Sequence, residues 1–239
     1  MHGDLVVVDD VPGEFAERVI EAFHTRPHEG FSLAVSGGAT ARACYERLAD
    51  DSGTQIDWWK LDVYWGDERC VPHDSPDSNY HLVRESLLER VGAVNANYPM
   101  FCEEGADAYQ LRLGELGRLD VVHLGLGADG HVASLFPGSP ALEADPGRLV
   151  AMNSDPTGTN PFPRMTLTMG GIARARLVLV TVSGEAQLTV ADLDGDLDLD
   201  LARLDAQGLR TWSSAGAGQG TRIGLFGHTD NAQGIGALI

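Results

Sequence analysis

The chain has 239 residues, 43% hydrophobic and 22% charged, a composition suited to a soluble globular protein with a substantial core. Its formal net charge of −18 argues against non-specific binding to nucleic acid or to an anionic membrane, because the mean field repels both. No apolar run approaches the ~20 residues that span a bilayer, and the start, MHGDLVVVDD, lacks the basic and apolar regions of a signal peptide, so the expected compartment is the cytoplasm.

Short apolar runs alternate with helical patterns, the signature of βαβ units around a mostly parallel sheet. Residues 5–8 form the first expected strand. Pro12 marks a helix start, and Phe15, Val19, Ile20 and Phe23 keep helical spacing. Residues 31–35 are the second strand, running into Ser36-Gly37-Gly38-Ala39-Thr40, with a helix to about residue 48. Residues 61–65 are the third strand, ending in Gly66-Asp67-Glu68-Arg69. Ser78 or Asn79 opens another helix, with Leu82, Leu87, Leu88 and Val91 on one face. A short strand is expected at 98–101 and a helix over 106–116. A buried strand at 121–126 leads into Gly127-Ala128-Asp129-Gly130-His131 and a short helix-like segment at 132–136. Further strands are expected at 149–152 and 176–182, a weaker one at 165–168, and a helix at 185–191.

After about residue 191 the character changes. DLDGDLDLDLARLD alternates Asp and Leu, which suits a half-exposed strand. It fails as a calcium loop, because placing Gly195 at the sixth position puts Val190 at the first. The tail beyond Ser213 is rich in glycine and small residues. The expected architecture is one α/β domain over 1–239, doubly wound with a mostly parallel sheet, in which 192–239 is a divergent acidic and then glycine-rich segment. The three cysteines, Cys44, Cys70 and Cys102, are far apart and form no CxxC pair, so reduced thiols are expected, with neither a disulfide framework nor a structural zinc site.

Three expected strand ends carry polar, glycine-containing turns: 36–40, 66–69 and 127–131. In a parallel sheet they share one edge, where open α/β folds bind ligands. In the first, glycine N–H groups and a following helix N-terminus can make an anion site, with the Ser36 and Thr40 hydroxyls as added donors. It is neither a nucleoside-triphosphate loop nor a dinucleotide fingerprint. Alone, it is equally a plain strand-to-helix turn. In the third, His131 can change protonation near neutral pH and Asp129 can orient it. The plainer reading of that stretch is a turn whose histidine caps a carbonyl. Arg69 can take an anion or pair with Asp67 or Glu68. The basic residues are sixteen arginines and one lysine, Lys60, and arginine suits bidentate phosphate contact.

In order along the chain, SGGAT, GDERCVPHDSPDSNY, GLGADGHVASLFP and PFPRMTLT resemble the 6-phosphogluconolactonase family, over roughly residues 5–190. The wider group includes glucosamine-6-phosphate deaminase. The resemblance implies a doubly wound α/β fold and hydrolysis of 6-phosphoglucono-δ-lactone to 6-phosphogluconate, without metal, nucleotide or other cofactor. The implied substrate, a sugar-phosphate lactone, is the only partner it suggests, and no oligomeric state can be read. It implies His131 as catalytic histidine and general base on water, with Asp129 and Arg69 beside it. Ser36, Gly37, Gly38 and Thr40 match the phosphate-binding turn, and Asp67, Asn79, Gly130 and Arg164 match residues that line or support the pocket.

The chain departs from the family where a phosphate-binding lysine is usual and Gln187 stands instead. That change leaves open a weakly active or non-catalytic sugar-phosphate-binding protein. An amino-sugar-phosphate deaminase or isomerase is the other alternative. It is opposed by Phe136, where the deaminase carries an acid, and by Arg69, where it carries a tyrosine.

Overall fold

The computed structural model describes the backbone of residues 2–183, 187–191, 200–205, 208–212 and 222–227, and side chains over 6–183. The chain opens with β1 (His2–Val7), α1 (Val11–Thr25), β2 (Phe31–Val35) and α2 (Ala39–Ser52). Pro12 sits in the first turn of α1, and the Asp10 carboxylate accepts the Gly13 N–H at 3.0 Å as N-cap. Phe15, Ala16, Val19 and Phe23 bury one stripe of α1, and Cys44, Tyr45 and Leu48 bury one stripe of α2.

Next come β3 (Leu61–Trp65), β4 (Asp67–Arg69), α3 (Asn79–Val83), a π-helical turn at Arg84–Leu88, α4 (Glu89–Val91), β5 (Ala96–Tyr98) and α5 (Gly105–Leu116). Then follow β6 (Val121–Gly125), β7 (Val150–Asn153), β8 (Arg164–Leu167), α6 (Met169–Ile172) and β9 (Leu177–Val182). The last strands are β10 (Gln187–Ala191), β11 (Asp200–Asp205), β12 (Gly208–Trp212) and β13 (Arg222–Gly227).

Seven strands form a parallel sheet in the order β1-β13-β9-β6-β2-β3-β5. From β2 the chain winds outward through β3 to β5, then returns to β6 on the other side of β2 and winds the opposite way. Right-handed crossovers therefore put α5 on the face opposite α1 and α2. Every residue of β2 is buried, as expected for a parallel strand covered on both faces. The reversal between β2 and β6 is the topological switch point, where such sheets open a crevice at their carboxyl ends.

A three-stranded antiparallel sheet, β4-β8-β7, leans over that edge. Residues 67–69, expected as a turn, are its β4. Another antiparallel sheet is β10-β11-β12.

Four expectations are corrected. Residues 132–136 are not helical: Gly130 and Ala133 take φ of +89° and +49°, and Val132 bridges to Leu126 and Leu135 instead. The helix expected at 185–191 is β10 from Gln187, consistent with the β-branched pair Thr189-Val190, while residues 184–186 lie outside the described residues. The short strand expected at 98–101 is β5 at Ala96–Tyr98 instead, while β13, a strand not anticipated, enters the main sheet between β1 and β9. Finally, Cys70 and Cys102 form a disulfide with a Cα–Cα distance of 5.5 Å. They follow β4 and β5 closely, and β5 is the sheet neighbour of β3, so the fold closes a gap that the spacing left open. Cys44 is free and buried, and burial pushes its thiol up to about 12.

Candidate active site

The turn after β2 is built for close approach. A Cβ on Gly37 would stand 1.9 Å from Asn79 Oδ1, so only glycine lets α3 pack here. Gly38, at φ +102°, is the N-cap of α2 and supplies no side-chain acceptor, which leaves the first-turn N–H groups of a 14-residue helix open to a ligand. The Thr40 hydroxyl lies 2.6 Å from that of Ser183, just past β9. Ser36 is placed differently from the expectation. Its hydroxyl donates to the His123 carbonyl at 2.7 Å and is committed to the backbone.

Beyond β3, the antiparallel register sets Arg69 of β4 directly opposite Arg164 of β8. Like charges facing each other in a ladder are destabilising unless something screens them. Arg69 donates to the Asp77 carbonyl at 2.7 Å rather than pairing with Asp67 or Glu68. Arg164 is buried and lies 3.9 Å from Asp67 Oδ2. Burial, followed by the nearby Arg69 charge, lowers the Arg164 pKa. Asp67 accepts from Ser134 Oγ at 2.6 Å and Asn79 Nδ2 at 3.1 Å, which ties the rim to α3 and to the loop after β6.

Glu68 was not singled out from the sequence. It is buried, and its carboxylate accepts from the backbone N–H of Arg69, Asn79 and Tyr80, each at 2.7 Å, and from Ser78 Oγ at 3.1 Å. It thereby fixes the start of α3 against β4. Burial pushes its pKa up, and the N–H donors pull against that shift.

The loop after β6 carries the imidazole. His131 Nδ1 lies 2.5 Å from Asp129 Oδ1, so the two residues that share this turn are in direct contact. Partial burial pushes the Asp129 carboxyl up, but the hydrogen bonds and charge of His131 prevail and hold it below the usual range. Asn160 Nδ2 approaches the other oxygen, Asp129 Oδ2, at 3.5 Å. A Cβ on Gly127 would meet His131 Cε1 and Nδ1 at 2.3 Å, so the ring lies against a position that must stay bare. Phe136 packs against the ring at 4.8 Å between centroids. With Nδ1 engaged, Nε2 is the nitrogen left for chemistry.

These elements enclose a cleft of about 220 Å³ at the switch point. Of the residues singled out from sequence, Ser36, Gly37, Gly38, Thr40, Asp67, Arg69, Asn79, His131 and Arg164 line it. Asp129 and Gly130 are not in that lining; Asp129 backs the His131 ring. The Gln187 side chain lies outside the described residues. Thr181 and Ser183 line the cleft without having been anticipated. The only sequence signal for them was their place at the end of a parallel strand. Among the described residues, no three His, Cys, Asp or Glu side chains are grouped to hold a metal ion, and no helix is long and apolar enough to cross a membrane.

A family model described as glucosamine-6-phosphate isomerases/6-phosphogluconolactonase matches residues 6–193. The chain is 37% identical over 170 residues to a 6-phosphogluconolactonase of Synechocystis sp., covering 65% of this chain and 68% of that one. It is 36% identical over 171 residues to that of Rhizobium meliloti, covering 66% and 71%. The solved 6-phosphogluconolactonase of Trypanosoma brucei superposes with a TM-score of 0.70 at 27% identity, covering 95% of this chain and 96% of that one. Switch-point cleft, motif order and matched span agree, and the chain belongs to the glucosamine-6-phosphate isomerase/6-phosphogluconolactonase family.

Proposed function

We propose that this protein hydrolyses 6-phosphoglucono-δ-lactone to 6-phosphogluconate, with His131 as general base. The observation that carries this reading is the His131–Asp129 contact beside a cleft that His131 lines together with two opposed arginines and an open helix N-terminus. Water attacks the lactone carbonyl carbon while His131 Nε2 takes its proton, and Asp129 stabilises the imidazolium. The tetrahedral oxyanion then collapses, the bond to the ring oxygen breaks, and the imidazolium returns its proton to that oxygen. Water is consumed and a hydroxy acid is formed, with no covalent enzyme intermediate.

The phosphate end is assigned to the N-terminus of α2, with Thr40 and Ser183 as hydroxyl donors. Arg69 and Arg164 serve the anionic parts of the substrate. An anion between them relieves the repulsion that their register imposes. This supply of positive charge supports lactone binding without the lysine that Gln187 replaces. Phe136, packed on the catalytic ring, leaves no acid where an amino-sugar deaminase would need one. The proposed compartment is the cytoplasm, where the Cys70–Cys102 bridge would face a reducing thiol pool.

The test is a dehydrogenase-coupled assay on freshly made lactone, corrected for spontaneous opening, with glucosamine 6-phosphate as a parallel substrate. Lactone turnover without ammonia release is expected. Ammonia release without lactone turnover, or tight sugar-phosphate binding with neither reaction, would overturn the assignment. Substituting Gln187→Lys in the same assay is expected to lower KM about tenfold, the worth of one charge-assisted contact.

A further inference from the structure

Beneath the phosphate turn lies a group of buried polar side chains that the proposed reaction does not use. His123, on β6, is fully buried, with the Phe15 ring 4.3 Å from its own. Its Nδ1 lies 2.8 Å from the Tyr45 hydroxyl and its Nε2 lies 2.8 Å from Thr181 Oγ1. The Tyr45 hydroxyl accepts the Ser36 backbone N–H at 2.7 Å. A buried parallel strand ordinarily places Val, Ile or Leu at such a position. An imidazole there is costly unless both nitrogens find partners, and here both do.

The partners fix the direction of the chain of bonds. Tyr45 already accepts from Ser36, so its own proton goes to His123 Nδ1. Nε2 therefore carries the ring proton and donates to Thr181. Both ring nitrogens of His123 are thereby satisfied.

His123 also holds Ser36 twice. The ring reaches the Ser36 N–H through Tyr45, and the backbone carbonyl of His123 accepts the Ser36 hydroxyl at 2.7 Å. Backbone pairing between β2 and β6 reaches only Ala34 and Val122, short of the turn. Side chains take over where the ladder stops, and they tie the end of β2, helix α2, and strands β6 and β9 into one unit. Thr181 faces the cleft, two residues before Ser183, whose hydroxyl meets Thr40.

We propose that His123, acting through Tyr45 and Thr181, is a positioning residue that sets the 36–38 turn against the ends of β6 and β9 and thereby controls affinity for the phosphate end of the substrate. The inference rests on the reading of that turn as the phosphate subsite. His123 touches no substrate; it acts through the groups it holds.

The experiment measures the Kd of 6-phosphogluconate by titration calorimetry, and KM and kcat for the lactone, in His123→Leu, His123→Asn and Tyr45→Phe. His123→Leu is expected to raise Kd and KM about tenfold, with kcat within about threefold of wild type. Asn offers an oxygen where Nδ1 stood, so His123→Asn restores the Tyr45 bond and is expected to recover most of the lost affinity. A mere packing defect would not be repaired by the smaller polar residue. Tyr45→Phe removes only the oxygen between Ser36 and His123 and is expected to weaken binding in the same sense, which keeps the test alive if His123→Leu does not fold.

Wild-type affinity in a folded His123→Leu or Tyr45→Phe protein, whatever its Tm, overturns the proposal. So does a fall in kcat at unchanged KM. A wild type that binds 6-phosphogluconate but leaves the lactone intact sinks the hydrolytic reading alone. One that binds none sinks both.

Discussion

His123 and His131 stand on the same strand and the loop that leaves it, yet their surroundings give them opposite characters. His123 has a neutral hydroxyl at each nitrogen and no access to water, and burial pushes its pKa down to about 3. His131 has a carboxylate at one nitrogen and the cleft at the other, with a bare glycine under the ring. An imidazole becomes a proton carrier when a partner favours its charged form and a reactant can reach it. It becomes a strut when its partners only complete the neutral form. Sequence alone offered the same letter for both.

The sharpest way to break this contrast is His131→Ala. Loss of the base is expected to lower kcat by at least about a hundredfold while the fold survives, because the ring is partly exposed at the cleft and not part of the hydrophobic core. Turnover near wild type would erase the difference between the two residues. A smaller effect, about ten- to a hundredfold in kcat at nearly constant KM, is expected for Asp129→Asn, which keeps the shape but removes the charge that favours the imidazolium. Smaller again, about tenfold, is the loss expected from Gly127→Ala, whose methyl would push the ring off its seat. For Gly127→Ala, 6-phosphogluconate binding should hold while kcat drops. A weakened Kd with intact kcat would show that the glycine serves the phosphate end instead.

Much of this arrangement was legible because parallel strands write themselves as continuous apolar runs. β2 and β3 fall at Phe31–Val35 and Leu61–Trp65, where those runs lie, and three glycine-bearing turns mark their shared edge. What sequence could not show depends on pairing at a distance. β4 is three residues long, too short for any period to register, yet its pairing with β8 is what faces Arg69 with Arg164. The Cys70–Cys102 bridge follows from β5 lying beside β3. β13 is separated from β1 by most of the chain and lies in the glycine-rich tail, which hides its period. In the 132–136 segment, helix-compatible residues were overridden by left-handed backbone at Gly130 and Ala133. His123 escaped notice because an apolar run tolerates one polar letter, and only the structure reveals the partners that justify it.

The contrast can be sharpened without any assay of turnover, through the pH dependence of stability. The unfolded chain protonates His123 near the ordinary value of about 6.5, whereas the folded chain resists protonation until about pH 3. Between those limits the unfolded state binds more protons, so stability is complete above about pH 6.5 and falls as the solution is acidified. From pH 6.5 to 5 the loss from this one residue is about 2 kcal/mol, or roughly 4–8 °C in Tm for a chain of this size. The window ends above the range where Asp129, held low by its histidine, begins to protonate. His123→Leu should therefore begin with a lower Tm at pH 7 and lose less of it on the way to pH 5. Parallel Tm curves for wild type and His123→Leu across that window would mean that the buried ring accepts a proton in the folded state, and its role as a neutral strut would be lost.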